Sequence, residues 1–425
     1  MANAEKDLHT DIAIVGGGLT GGLAALALAR RGFSIALIER SPKEALLASH
    51  FDGRTTAIAF ASMRMLNRLD LWDDIDAFSE PIRDILVTDG QRQTRFREGG
   101  LSSFHMHFDS NALDKDTPLG WIVENHALRR AIFSALDKEK DVTVFDQTSC
   151  QHVDFGPGRA VLELSAGRSV TTNLVLAADG KQSSLRAQAG LRVNRWKYQQ
   201  TGLVATVAHE HPHNGFAQEY FLPGGPFAIL PMTTKSDGSN KTYRSSLVWT
   251  DKIPLAERLM ASDDETFKRE LTQRFGSYLG GLEVDGPRFS YPLSFHLSHK
   301  FVSARLALVG DAVRAIHPIA GQGFNLAIKD IAALCDVLAD GRGVGLDIGH
   351  ESALQPYQQW RRFDSVSLAL GTDLLNRLFS NNQPAIRLMR GAGLGVVNAS
   401  RPVRQFFMRQ AGADVGTLPS LLQPL

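Results

Sequence analysis

The chain opens with a switch of hydrophobic period. Asp11-Ile-Ala-Ile-Val15 is a short apolar run rich in β-branched residues, the pattern of a buried parallel strand. Gly16-Gly-Gly-Leu-Thr-Gly21 follows, then an Ala- and Leu-rich stretch from Leu23 to Arg31 that reads as a helix ended by Gly32. Ser34-Ile-Ala-Leu-Ile38 is a second strand, and it delivers Glu39. Together they predict a strand–helix–strand unit with Gly16, Gly18 and Gly21 at GxGxxG spacing. Two later runs repeat the strand pattern. Asn173-Leu-Val-Leu-Ala-Ala178 ends in Asp179-Gly180, and Arg305-Leu-Ala-Leu-Val309 ends in Gly310-Asp311. All four strands are expected in one sheet. Between Ala189 and Pro287 the pattern changes, and residues 203–208, 227–230 and 245–250 read as antiparallel strands separated by turns. The chain after Trp360 reads as helical.

The glycine turn carries the first chemistry. In such a unit the first glycine permits the tight turn, the second lets a pyrophosphate approach the backbone, and the third lets helix and strand pack closely. The helix N-terminus offers free N–H groups and a positive dipole end to phosphates. Glu39 stands where a carboxylate can accept hydrogen bonds from ribose hydroxyls and repel a 2′-phosphate. The unit alone does not separate FAD from NAD. Two other glycine runs, residues 341–345 and 391–395, lack a preceding strand. A nicotinamide cofactor must therefore bind without a second fingerprint.

Composition narrows the setting. A chain of 425 residues allows two domains, or one large domain with an insertion. Its 46 basic and 45 acidic residues argue against a dedicated nucleic-acid binder. Cys150 and Cys335 make neither a disulfide framework nor a CxxC site, so a reducing cytosol is expected. The first ten residues have no apolar core, and no uninterrupted apolar run reaches about 20 residues, so neither a secretory signal nor a membrane span is expected. The histidines at 105 and 107, and at 209, 211 and 213, lack the spacing of a zinc site. They are expected in surface loops, with no metal. Ser183 lies in no Gly-x-Ser-x-Gly elbow and is not a nucleophile candidate.

The two later motifs decide for FAD. An Asp at the C-terminal end of a strand points into the crevice where an α/β sheet holds its ligand. Asp311 suits a ribityl hydroxyl there, and residues 321–325 open a helix whose N-terminus can face a flavin carbonyl or phosphate. Four motifs then stand in order: GxGxxG; Asp179-Gly180 with Ser183 and Arg186; Gly310-Asp311; and His317-Pro-Ile-Ala-Gly-Gln-Gly-Phe-Asn-Leu326. On these residues the chain resembles the aromatic-ring flavoprotein monooxygenases of the para-hydroxybenzoate hydroxylase type. Within them it is most similar to the ubiquinone-biosynthesis hydroxylases, which act on 2-polyprenylphenols and 2-polyprenyl-6-methoxyphenols. The resemblance runs from Asp11 to about Arg409.

The resemblance implies an α/β fold in three parts. A discontinuous Rossmann-like FAD domain takes residues 1–80, 118–188 and 288–350. A mainly antiparallel β-sheet substrate domain takes 81–117 and 189–287, and a helical C-terminal region takes 351–425. The implied FAD contacts are Gly16, Gly18, Gly21, Glu39, Arg54, Arg129, Asp179, Gly310, Asp311, Pro318, Gly321, Gly323, Phe324 and Asn325. Glu219, Phe221, Phe227 and His317 are the implied substrate contacts, although Tyr220 and Phe221 equally fit an ordinary strand core. The family's usual Gly-Asp-Ala-Ala-His reads Gly310-Asp-Ala-Val-Arg314 here, with arginine in the histidine's place.

The activity implied is ring hydroxylation. NADH, NADPH or a protein electron donor reduces the flavin, molecular oxygen gives a C4a-hydroperoxide, and one oxygen atom passes to a phenolic ring. No side chain is identified as a catalytic acid or base. A prenylated phenol is the implied substrate, and other members of a ubiquinone-biosynthesis complex are the implied partners. The location expected is cytoplasmic, with room for a peripheral place on the inner face of the membrane. Residues 377–409 hold six arginines and no acidic residue among apolar side chains. That stretch fits either an anionic lipid surface or a solvated arginine face. Three other readings stay open: a hydroxylase of a small soluble aromatic, a flavin-dependent isoprenoid reductase, and a non-catalytic flavoprotein subunit. Apolar residues that extend the pocket into a channel would separate the prenylated substrate from the soluble one.

Overall fold

The computed structural model describes residues 8–47, 51, 53–88, 105–110, 117–237, 240–276, 278–379 and 416–424. The N-terminal unit forms as its periodicity predicts. Strand Leu8–Val15 pairs in parallel with Ile35–Ile38 on one side and Ser169–Ala177 on the other. Leu306–Leu308 joins Ser169–Ala177, and Val142–Phe145 joins Ile35–Ile38, both in parallel. The four expected strands therefore share one sheet. Their side chains are buried on both faces, which is why they read as continuous apolar runs. Helix Leu19–Ala29 is buried from Gly21 onward, packed between the sheet and helices Asn125–Leu136 and Gly323–Gly343.

The second layer is the expected antiparallel sheet. Val193–His209, Asn240–Lys252, Gly225–Asp237 and Phe216–Leu222 pair antiparallel in that order. Asp84–Thr88 adds a parallel strand, and His105–Asp109 extends that edge. Phe289–Ser298 pairs with Val193–His209, so this layer runs to residue 298 and not to 287. Alternation along the strands gives the sheet two faces. Leu203, Tyr220, Phe227, Ile229, Leu247 and Trp249 pack with Phe267 and Leu271 of helix Asp264–Phe275. Val204, Ala217, Glu219, Ala228, Leu230, Val248 and Thr250 face the first layer. A small sheet of Thr55–Ala59, Gly120–Glu124 and Ser79–Ile82 lies between, touching helix Gly323–Gly343 and strand Gly225–Asp237.

Helix Glu351–Phe379 packs along helix Gly323–Gly343. Residues 341–345 form the exit of the latter helix. The basic stretch lies outside the described residues beyond Phe379, as does the 391–395 glycine run. No described helix is long and apolar enough to cross a membrane.

The histidines correct one expectation. His105 and His107 sit on a strand, with His107 Nε2 2.8 Å from Asp84. His209 and His213 are buried, 3.0 Å from Ser245 Oγ and 2.9 Å from the Met232 carbonyl. His209 is on a strand, and His213 lies in the following loop but is buried, so neither ring is at the surface; His211 alone of that trio is exposed.

Candidate active site

Packing fixes two of the three turn glycines. A Cβ at Gly21 would stand 1.7 Å from the Gly16 carbonyl oxygen, and one at Gly16, where φ is +102°, would stand 2.5 Å from the Ala178 oxygen. Gly18 is different, with nothing within 4 Å of the place a Cβ would occupy. It begins helix Leu19–Ala29, whose N-terminus has no side-chain cap. Free N–H groups therefore face open space, the requirement for holding a pyrophosphate. Glu39 borders that space. Its carboxylate accepts from Gly17 N at 2.6 Å and Ser41 N at 2.8 Å, which sets its orientation beside the turn.

The Asp-Gly motif is largely a fastening. Asp179 Oδ2 accepts from Ser184 N at 2.8 Å and caps helix Ser184–Gln188, while Oδ1 is buried without a partner. Ser183 Oγ accepts from Arg186 N at 3.0 Å. The Arg186 guanidinium donates to Ala312 O at 2.7 Å and Lys181 O at 3.0 Å, tying this loop to the Gly310-Asp311 turn. Arg54 precedes strand Thr55–Ala59, and Arg129 lies early in helix Asn125–Leu136. Neither borders the cleft that follows. Glu124, at the end of strand Gly120–Glu124, pairs with Arg244 at 2.8 Å, both buried.

A cleft of about 450 Å³ opens between the layers. Gly310, Asp311, Arg314, Pro318, Gly321 and residues 322–326 form its floor, and the second sheet forms the opposite wall. Ile82, Ile85, Leu119, Ile122, Leu230 and Ile319 make most of the rest apolar. Helix Gly323–Gly343 starts in the cleft without a side-chain cap, and the space at Gly323 is open. Phe324 and Pro318 face in beside it. Asp311 is accessible from the cleft but enclosed by protein on its other sides. Burial raises its carboxyl above the usual range, partly offset by Arg314 and Lys181.

Asn325 acts as a clamp. Its Oδ1 accepts from Ala59 N and its Nδ2 donates to Ala57 O, both at 2.9 Å. The start of the helix is thus held against strand Thr55–Ala59, where Gly321 approaches Ala57 too closely for a larger residue. Asn325→Leu strands a buried N–H and a buried carbonyl. It is expected to cost about 2 kcal/mol in chemical denaturation and to weaken flavin retention.

Arg314 is held by one of its three nitrogens. Its Nη2 donates to Asp330 Oδ2 at 2.8 Å, both side chains are almost wholly buried, and Nε and Nη1 are buried without a hydrogen-bond partner. Of the expected substrate contacts, Glu219 borders the cleft. Phe221 packs behind the wall with Ile82, Leu119 and Ala217. Phe227 points to the opposite face of its sheet, against Trp249 at 5.7 Å, because residue 227 has the other strand parity. His317 lies behind Pro318, its ring edge-on to Tyr198 at 5.2 Å. Both its ring nitrogens are buried without hydrogen bonds, and burial lowers it to about 4, so it is neutral at pH 7. Sequence reasoning missed the apolar wall, whose residues come from six separate strands and loops.

The open cradle at Gly18, the enclosed Asp311 and the uncapped helix start at Gly323 fit a flavin dinucleotide extended from the turn into the cleft. A family model described as FAD binding domain matches residues 9–362. This chain belongs to that family. Ubiquinone hydroxylase UbiL of Rhodospirillum rubrum is 40% identical over 412 residues, covering 97% of this flavoprotein and 91% of that protein. The 3-demethoxyubiquinol 3-hydroxylase of Escherichia coli K12 is 34% identical over 387 residues, 91% of this chain and 94% of that one. Among solved structures, p-nitrophenol 4-monooxygenase PnpA of Pseudomonas putida superposes with a TM-score of 0.75 over 96% of this chain and 99% of that one. At 20% identity it shows the shared fold alone. With hydroxylases matching along nearly its whole length, this flavoprotein is an FAD-dependent monooxygenase.

Proposed function

We propose that this flavoprotein hydroxylates the aromatic ring of a polyprenylated phenol on the route to ubiquinone. Electrons come from NADH, NADPH or a protein donor, and the oxygen atom from molecular oxygen. The observation that carries this reading is the apolar cleft. A small aromatic acid would need a cation for its carboxylate, and the charge of Arg314, the one cation lining the cleft among the described residues, is already offset by the buried Asp330 carboxylate 2.8 Å from its Nη2. A prenylated ring needs the apolar contact that Ile82, Ile85, Leu119, Ile122 and Leu230 supply. The two relatives, a ubiquinone hydroxylase and a 3-demethoxyubiquinol 3-hydroxylase, support the same class.

When bound, FAD supplies the oxygen chemistry, carried at flavin C4a. The chain's part is to hold it along Gly18, Asp311 and Gly323, to keep water out with the apolar wall, and to position the ring. Residues 1–80, 118–188 and 299–350 serve as the FAD domain in this reading, and 81–117 and 189–298 as the substrate domain. Peripheral membrane contact belongs to the same proposal. Phe363, Leu370 and Leu374 share one face of helix Glu351–Phe379 and are 77%, 56% and 66% exposed, with Arg362 and Arg377 beside them.

The test is quinone analysis by mass spectrometry in cells lacking this protein, with and without the gene restored. A prenylated phenol short of one hydroxyl should accumulate and disappear on restoration. An unchanged quinone profile in a strain without a redundant hydroxylase contradicts the reading. Fractionating the restored cells decides the membrane question, since a protein wholly in the soluble fraction excludes the contact.

A further inference from the structure

We infer that Glu219 is the proton acceptor for the phenol hydroxyl in this cleft, an inference that rests on the phenol substrate proposed above. Glu219 sits in mid-strand on the cleft-facing side of Phe216–Leu222, between Ala217 and Phe221 of the same parity. Its register partners are Ala228 on one side and Val87 on the other, both apolar. The small sheet presents Thr55, Thr56, Ile82 and Ile122 to the cleft, none of them charged. Across the cleft the charged groups are Asp311 and Arg314, and Arg314 is committed to Asp330. No described cation pairs with Glu219.

A carboxyl placed in an apolar wall without a counter-charge costs stability and contributes none. A ligand with a hydrogen-bonding proton gives it a partner. Desolvation alone pushes Glu219 up to about 7 from an ordinary 4.5, so near neutral pH it can both accept and return a proton. The other candidate groups fall away by position. His317 is behind the wall, and Tyr220 is on the opposite sheet face. Asp311 lies on the floor, in the Gly310–Ala312 turn on the side that receives the flavin.

The step balances without a further reagent. The phenol O–H bond breaks, its proton forms a new O–H bond on the Glu219 carboxylate, and the electron pair stays on the phenol oxygen. The ring becomes more electron-rich at its ortho and para carbons, as electrophilic oxygen transfer needs. As the ring regains aromaticity the hydroxylated carbon loses its own proton to water, and the Glu219 proton returns to the oxygen of the product phenolate.

The experiment uses FAD-loaded full-length protein and a 2-alkylphenol. In the wild type, kcat/KM should rise with pH through an apparent pKa near that of Glu219. Glu219→Gln should remove that limb, lower kcat at neutral pH about 100-fold, and regain rate only toward the phenol's own ionisation near about 10. Glu219→Asp should keep a rising limb at reduced rate. A second readout is independent of turnover. A carboxyl whose folded-state pKa is raised loses stability as pH rises from 4.5 through about 7. Glu219→Gln should therefore melt with the wild type at low pH and above it at pH well over 7. An unchanged pH limb in Glu219→Gln overturns the inference and leaves the phenol reading standing. Identical melting at high pH removes its desolvated carboxyl and overturns it as well. Failure of the wild type to hydroxylate any alkylphenol overturns the phenol reading itself.

Discussion

Asp330→Ala is expected to destabilise the protein by roughly 3–5 kcal/mol, the cost of leaving buried charge uncompensated. Asp330 is 0% exposed and holds three donors. Arg314 Nη2 at 2.8 Å and Gly310 N at 3.1 Å reach Oδ2, and Arg361 Nε at 3.0 Å reaches Oδ1. Alanine strips Arg314 of its ion-pair partner, leaving it only the longer-range charge of Asp311, and leaves Arg361 with only Asp364, at 2.7 Å. It also frees the Gly310-Asp311 turn from helix Gly323–Gly343, so flavin retention should fall with stability. Asp330→Asn should lie between, because an amide oxygen still accepts but carries no charge. Replacing Arg314, Asp330 and Arg361 together by apolar residues should recover most of the loss, since a buried ion cluster contributes little net stability over good packing. Urea denaturation of these variants decides the matter. A loss under about 1 kcal/mol for Asp330→Ala would mean that water reaches the cluster.

The second large effect is a contrast within the glycine turn. Gly18→Val should fold normally, because Gly18 already has extended backbone angles and open space for a side chain. It should nevertheless bind FAD weaker by on the order of 100-fold, because a side chain there denies the pyrophosphate its approach to the backbone. Gly21→Val should fail earlier. Its Cβ would overlap the Gly16 oxygen at 1.7 Å, so the helix cannot pack on the strand and soluble protein should be scarce. Flavin absorbance per purified chain and a fluorescence titration with FAD report both. Equal FAD affinity in Gly18→Val and the wild type would remove the cradle from the site.

The strand–helix–strand unit is legible in sequence because burial on both sheet faces leaves continuous apolar runs, and because the turn needs glycines at fixed spacing. The same double burial hides the second layer's orientation. Both its faces are apolar, so alternation shows that residues 227 and 228 point oppositely but not which one meets the cleft. Of the contacts that the resemblance implies, Phe227 therefore falls on the far face and Glu219 on the cleft face. Asp179 shows a different limit. A strand-end Asp can face a ligand or cap the next helix, and here Oδ2 caps helix Ser184–Gln188. Arg314 looks like a departure from a family motif until Asp330 and Arg361, far away in sequence, are seen around it.

The most direct measurement is mass spectrometry of the product formed by FAD-loaded protein from a prenylated phenol under heavy-isotope oxygen gas, with NADH or NADPH as donor and a chemical reductant as a check. One heavy oxygen atom on the ring, with none incorporated from water, is the predicted result. Flavin reduction and reoxidation with the phenol recovered unchanged, whichever donor is supplied, would contradict it.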